Sequence, residues 1–214
     1  MAKNSASVLI VGSMGAGKSY FAQYLILKLN QKFKVIIDPS SEYEIPGFAI
    51  VELNPWNYKD TLKSFPEILK KYHYVIVQFD YLSLEDQKKI VDYLAALMFN
   101  IKNVIFMIDE AHLYVGKTKP AKNAVNLATM GRKYGISTLY VTQRPQQLDT
   151  TVRSMTWYKI AFRVNDQRDV EALRGYLKNV DILTTLPRRW FLYRNAEGDT
   201  FLSTTEGLKL PHLG

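Results

Sequence analysis

The segment Gly12-Ser13-Met14-Gly15-Ala16-Gly17-Lys18-Ser19 constrains this chain more than any other feature. A short apolar run, Ser7-Val8-Leu9-Ile10-Val11, leads into it, and from Lys18 onward apolar residues recur at three- and four-residue intervals. A strand, a glycine-rich loop and a helix in that order form a phosphate cradle. Glycines allow successive backbone N–H groups to turn inward around phosphate oxygens, and the following helix offers the positive end of its dipole. On this reading Gly12, Ser13, Met14, Gly15, Ala16, Gly17, Lys18, Ser19 and Tyr20 bind ATP. Lys18 is expected to reach the β- and γ-phosphates, and Ser19 to lend its hydroxyl to Mg²⁺. The plain alternative is a glycine-rich turn that only packs a helix on a sheet.

The rest of the chain supports an α/β fold with a mostly parallel central sheet and crossover helices on both faces. Strands are expected over 7–11, 34–38, 49–52, 74–79, 103–109, 137–142, 157–163 and 190–194. Helical spacing runs over 18–30, 84–100, 121–134 and 166–177. Without internal repeats or linker-like tracts, residues 1–214 are read as one domain, with 198–214 a strand or hairpin followed by a loose tail.

Two strand ends carry further chemistry. The apolar run Val104-Ile105-Phe106-Met107-Ile108 ends in Asp109 and Glu110, which a parallel sheet would deliver to the same carboxyl edge as the phosphate loop. There Asp109 would orient Mg²⁺ through water and Glu110 would act as general base on the attacking water. The run ending at Thr142 is followed by Gln143, whose amide can accept from water and donate to phosphate. Asp38 and Glu42 follow another strand; they are candidates to hold Mg²⁺ or position the water, and equally to cap the Asp-Pro-Ser-Ser turn. His112 is open between a relay and a packing role. Lys117, Lys119 and Lys122 form a basic loop suited to phosphate contacts or simply to solvent.

Composition narrows the partners. With no cysteine, disulfides, thiolate zinc sites and cysteine nucleophiles are excluded. Apolar runs are far shorter than the roughly 20 residues that span a bilayer, and the start of the sequence leaves no room for a signal peptide, so the cytoplasm is the expected compartment and no membrane insertion is foreseen. A formal charge of +8 suits a polyanion such as double-stranded DNA, or merely a basic surface. Fourteen tyrosines are scattered and form no stacking platform for single strands.

Taken in order, the phosphate loop, Asp38-Pro39-Ser40-Ser41-Glu42-Tyr43, Ile108-Asp109-Glu110-Ala111-His112 and Thr142-Gln143-Arg144-Pro145 resemble the FtsK/HerA superfamily of DNA-pumping ATPases. The resemblance extends through Gly131-Arg132-Lys133-Tyr134-Gly135 and Phe162-Arg163-Val164. It implies a RecA-like P-loop NTPase domain and a homo-oligomeric ring, usually a hexamer, that moves double-stranded DNA. In such rings one subunit's arginine completes the next subunit's site; Arg132 matches a position where the family places it, with Arg144 and Arg153 as weaker candidates. The compact motor resembles the genome-packaging ATPases of membrane-containing icosahedral viruses, including archaeal ones, which would work in the host cytoplasm beside a capsid or portal component. The alternative within the superfamily is a HerA-like host or plasmid translocase or helicase. Outside it stand a P-loop small-molecule kinase, against which the acidic pair and Gln143 argue, and a scaffold that binds ATP without turning it over.

Overall fold

The computed structural model describes residues 5–210. They build a nine-stranded sheet in the order β3-β4-β2-β5-β6-β1-β7-β8-β9: β1 Ser7–Val11, β2 Phe33–Asp38, β3 Ala49–Leu53, β4 Tyr74–Phe79, β5 Val104–Ile108, β6 Ile136–Thr142, β7 Tyr158–Phe162, β8 Trp190–Arg194 and β9 Thr200–Thr204. The strands from β3 through β7 pair in parallel, and β8 and β9 close that edge as an antiparallel hairpin. The β-branched, apolar runs of β1, β2, β5 and β6 form the buried centre, as parallel strands covered on both faces require.

Alternation along each strand divides the core in two. Leu9, Val11, Val35, Ile37, Val75, Val77, Phe106 and Ile108 join one cluster; Val8, Ile10, Ile36, Ile76, Ile105 and Met107 join the other. The first face is covered by residues from α2 (Tyr58–Tyr72), α3 (Leu84–Ile101), α4 (Lys122–Met130), α5 (Thr150–Met155) and α6 (Gln167–Arg174). The second is covered by α1 (Lys18–Lys28), through Phe21, Ala22, Ile26 and Leu27, and by Tyr43 and Ile45. The expectation of an α/β sheet with helices on both faces holds, though the helices are distributed unequally.

Three elements differ from the sequence reading. Residues 121–134 are not one helix: α4 gives way to a 3₁₀ turn, Gly131–Tyr134, closed by Gly135 in the left-handed region. Helix α2 has no counterpart among the expected helices, because Pro66 sits inside it and removes a backbone donor where periodic reading breaks off. Helix α5 is too short for a periodic signal. Of the strand or hairpin expected after residue 198, a single strand forms, β9, which pairs with the separately expected β8; the tail beyond residue 210 lies outside the described residues.

Candidate nucleotide site

The loop between β1 and α1 leaves the centre of the sheet at its carboxyl edge. Its glycines have separate reasons. A Cβ on Gly12 would stand 2.7 Å from the Phe162 Cβ, so the loop can approach β7 only without a side chain there. Gly17, the residue before α1, has φ +115°, a backbone region that L side chains rarely adopt. Ser13 fastens the loop to β7, with both its N–H and its hydroxyl donating to the Arg163 carbonyl at 2.8 and 2.9 Å. Lys18 is buried at the start of α1, whose N-terminus carries no side-chain cap for its free N–H groups. Met14 is exposed, and the Tyr20 hydroxyl donates to the Leu208 carbonyl at 2.6 Å, tying α1 to the segment after β9.

Strand order brings distant parts of the sequence to this loop. Strand β6 lies between β1 and β5, so Gln143 emerges between the phosphate loop and Asp109-Glu110. Gln143 Nε2 donates to Glu110 Oε1 at 3.1 Å. The other Glu110 oxygen, Oε2, is buried and accepts no hydrogen bond; His112 Nδ1 lies 3.2 Å from it but has its hydrogen-bond geometry with Thr142 Oγ1, at 3.1 Å. Glu110 itself adopts a left-handed backbone, φ 43°, at the start of a one-turn 3₁₀ helix, Ala111–Leu113. One carboxylate oxygen is thus held and the other has an unused acceptor, which suits a base for water.

Asp109 is 3% exposed, and its Oδ1 accepts from the Glu110 N–H at 2.8 Å. Burial pushes its carboxyl up to about 6 despite the lowering effects of that N–H and of Lys18; the neighbouring Glu110 charge adds to the rise. A buried carboxylate held this way is costly without a cation close by. The donors gathered here, the Asp109 carboxylate and the Ser19 hydroxyl, are hard oxygens of the kind that Mg²⁺ accepts alongside phosphate and water.

Asp38 takes the turn-capping role. Its Oδ1 accepts from the Glu42 N–H at 3.1 Å, and its Oδ2 from the Tyr43 N–H and from Gln78 Nε2, both at 3.0 Å. The turn so fixed inserts Tyr43, 2% exposed, beside Asp109 and Ser19. Burial, reinforced by the Asp109 charge, keeps this phenol protonated well above its ordinary range. Sequence reasoning quoted Tyr43 within a motif but gave it no role, since its neighbours lie far along the chain. It also passed over Arg189, whose N–H donates to the Ala16 carbonyl at 3.1 Å while its own carbonyl accepts from Thr205. The Pro187-Arg188-Arg189 run was the available signal for this strap against the phosphate loop.

The arginines separate. Arg132 precedes β6 at the amino-terminal edge, its guanidinium stacked 3.9 Å from the Trp157 ring centre. The seven residues of β6 hold it about 20 Å from Gln143, at the opposite edge of the sheet from the phosphate loop. Arg153 bridges α5 to the end of α6 through the Ala172 carbonyl, at 3.2 Å. Arg144 is exposed on the carboxyl edge near Asp166 and Asp169. The exposed Lys117 loop is zipped at its base to the segment after β6, through the Gly116 and Leu148 bridge and the Lys117 N–H to Gln147 carbonyl bond at 3.0 Å.

Comparison with known proteins places this geometry. Residues 4–97 match the model of the helicase HerA central domain. Over 92 residues the chain is 33% identical to a probable helicase of Methanocaldococcus jannaschii, a match that takes in 41% of the chain but 18% of that much longer protein. Protein P9 of Pseudoalteromonas phage PM2 is 24% identical over 182 residues, 82% of the chain and 75% of the phage protein. Among solved structures, the genome packaging NTPase B204 of Sulfolobus turreted icosahedral virus 2 superimposes with a TM-score of 0.69 at 19% identity, covering 94% of the chain and 96% of B204. The fold is that of P-loop NTPases, as the α/β pattern predicts, and the HerA central domain that residues 4–97 match is an ATPase domain. Among the described residues no helix is long and apolar enough to cross a membrane.

Proposed function

We propose that this chain hydrolyses ATP to drive double-stranded DNA, most specifically a viral genome, through a homo-oligomeric ring. The observation that carries the hydrolytic part is the Gln143–Glu110 hydrogen bond beside the phosphate loop, which leaves Glu110 Oε2 unpaired. In this reading the loop N–H groups and Lys18 bind the β- and γ-phosphates, and Ser19 and Asp109 hold Mg²⁺, the latter through water. Bound Mg²⁺ supplies charge that neutralises phosphate oxygens. Glu110 takes the proton of the attacking water, and Gln143 fixes the orientation of that base and senses the phosphate. Through the zipped segments at Gly116 and Leu148, a shift at Gln143 or Glu110 is passed to the basic loop of Lys117, Lys119 and Lys122.

The DNA partner is supported by charge. The helix ends and turns that lead into β2, β4, β5 and β6, neighbours in the sheet, carry Lys28, Lys32, Lys70, Lys71, Lys102 and Lys133. All six are exposed, and none forms an ion pair among the described residues. Three strand spacings bring this charge within about 15 Å, a scale on which duplex DNA presents a negative charge roughly every 1.7 Å of axis. Arg132 borders the same edge, and its distance from its own site leaves a neighbouring subunit's phosphate as the target for a role in catalysis. Two-sided coverage of a viral genome packaging NTPase of similar length favours packaging, with a capsid or portal as partner. The HerA domain match favours a host or plasmid translocase as the second reading.

Replacing Glu110 with Gln tests the assignment. The variant is expected to bind ATP as the parent does while turning over about a hundredfold or more slowly; normal turnover would remove Glu110 as base.

A further inference from the structure

Beside the acidic pair, one buried polar atom has no stated use. The Tyr43 hydroxyl, on a 2% exposed side chain, lies close enough to the Asp109 carboxylate and the Ser19 hydroxyl to interact with both, yet it completes no hydrogen bond of good geometry. Leaving a buried hydroxyl unpaired is unfavourable, and native proteins rarely do it without a reason in the site. A packing role does not account for it: phenylalanine would fill the same volume among Ile45, Phe21 and Ile76 at no polar cost. Nor is the position accidental, because three hydrogen bonds to Asp38, two of them from the backbone at Glu42 and Tyr43 itself, fix the turn that inserts the ring.

We infer that Tyr43 is a positioning residue for the divalent cation, its hydroxyl completing the shell around Asp109, Ser19 and the cation's water. This rests on the nucleotide and Mg²⁺ reading of the site, and not on DNA. The phenol O–H donates to the Asp109 carboxylate, fixing the carboxylate that faces the cation, while the phenol oxygen accepts from a water of the cation's shell. Both functions use a hydroxyl that lacks a well-formed hydrogen bond within the chain. The turn from Asp38 to Tyr43 thereby acts on the metal without giving it a direct carboxylate ligand, which explains why Asp38 is spent on backbone N–H groups.

The test is Tyr43→Phe, which keeps the ring and removes only the hydroxyl. Mn²⁺ binding is followed by electron paramagnetic resonance with a non-hydrolysable ATP analogue present, alongside analogue affinity without metal and the melting temperature. The inference predicts Mn²⁺ affinity lowered about tenfold, metal-free analogue affinity unchanged, and a melting temperature equal to or above the parent's. Unchanged Mn²⁺ affinity overturns the inference. So does a drop in both affinities with a lower melting temperature, the mark of a packing role. If the parent binds no Mn²⁺ beside the analogue, the nucleotide and Mg²⁺ reading itself falls.

Discussion

The residues of the candidate site owe their positions to strand ends. Asp109, Glu110 and Gln143 each follow an apolar run that forms a central strand, so their delivery to one edge was legible from hydrophobic pattern alone. The hydrogen bond between Gln143 and Glu110 was not, because it depends on β6 lying beside β5, a pairing across 33 residues. Gln143→Ala should lower kcat about tenfold with little change in the KM for ATP, since it frees the base without touching the phosphate loop. A larger change in KM than in kcat would instead assign Gln143 to ground-state binding. Tyr43 and Arg189 escaped the sequence for the same reason: each acts through contacts that only the folded chain creates.

At the scale of elements, the parallel core was readable and its margins were not. Periodicity marked α1, α3 and α6, and failed where Pro66 interrupts α2 and where Gly131 turns α4 into a 3₁₀ helix. The edge formed by β7 and β8 carries an unusual buried cation: Lys159, 1% exposed, whose Nζ donates to the Thr156 carbonyl. Burial, with the nearby Arg194 charge, pulls its pKa down to about 8 from 10.5. The folded state therefore holds its proton less tightly than the unfolded chain, so stability rises as pH increases from about 8 toward 10.5 and is lost as pH falls through 8. Lys159→Met should raise stability at pH 7 by about 1–3 kcal/mol, and the gain should shrink in melts above pH 8. A pH-independent difference would contradict this account.

Across the whole molecule, the sheet separates two chemistries. Its carboxyl edge gathers the phosphate loop and the acidic pair; its amino edge gathers lysines. Net charge was visible in the composition, but its concentration on one edge follows from strand order. Replacing Lys28, Lys102 and Lys133 together with Glu should weaken duplex DNA binding at least tenfold and reduce the slope of log affinity against log salt by about three. Nucleotide affinity should be unaffected, and equal DNA affinity would place the duplex elsewhere. The most direct test of the central claim is the ATPase rate with and without double-stranded DNA, measured together with molecular size in the presence of ATP. A motor ring predicts DNA-stimulated phosphate release from an ATP-dependent oligomer; a monomer whose rate ignores DNA would contradict it.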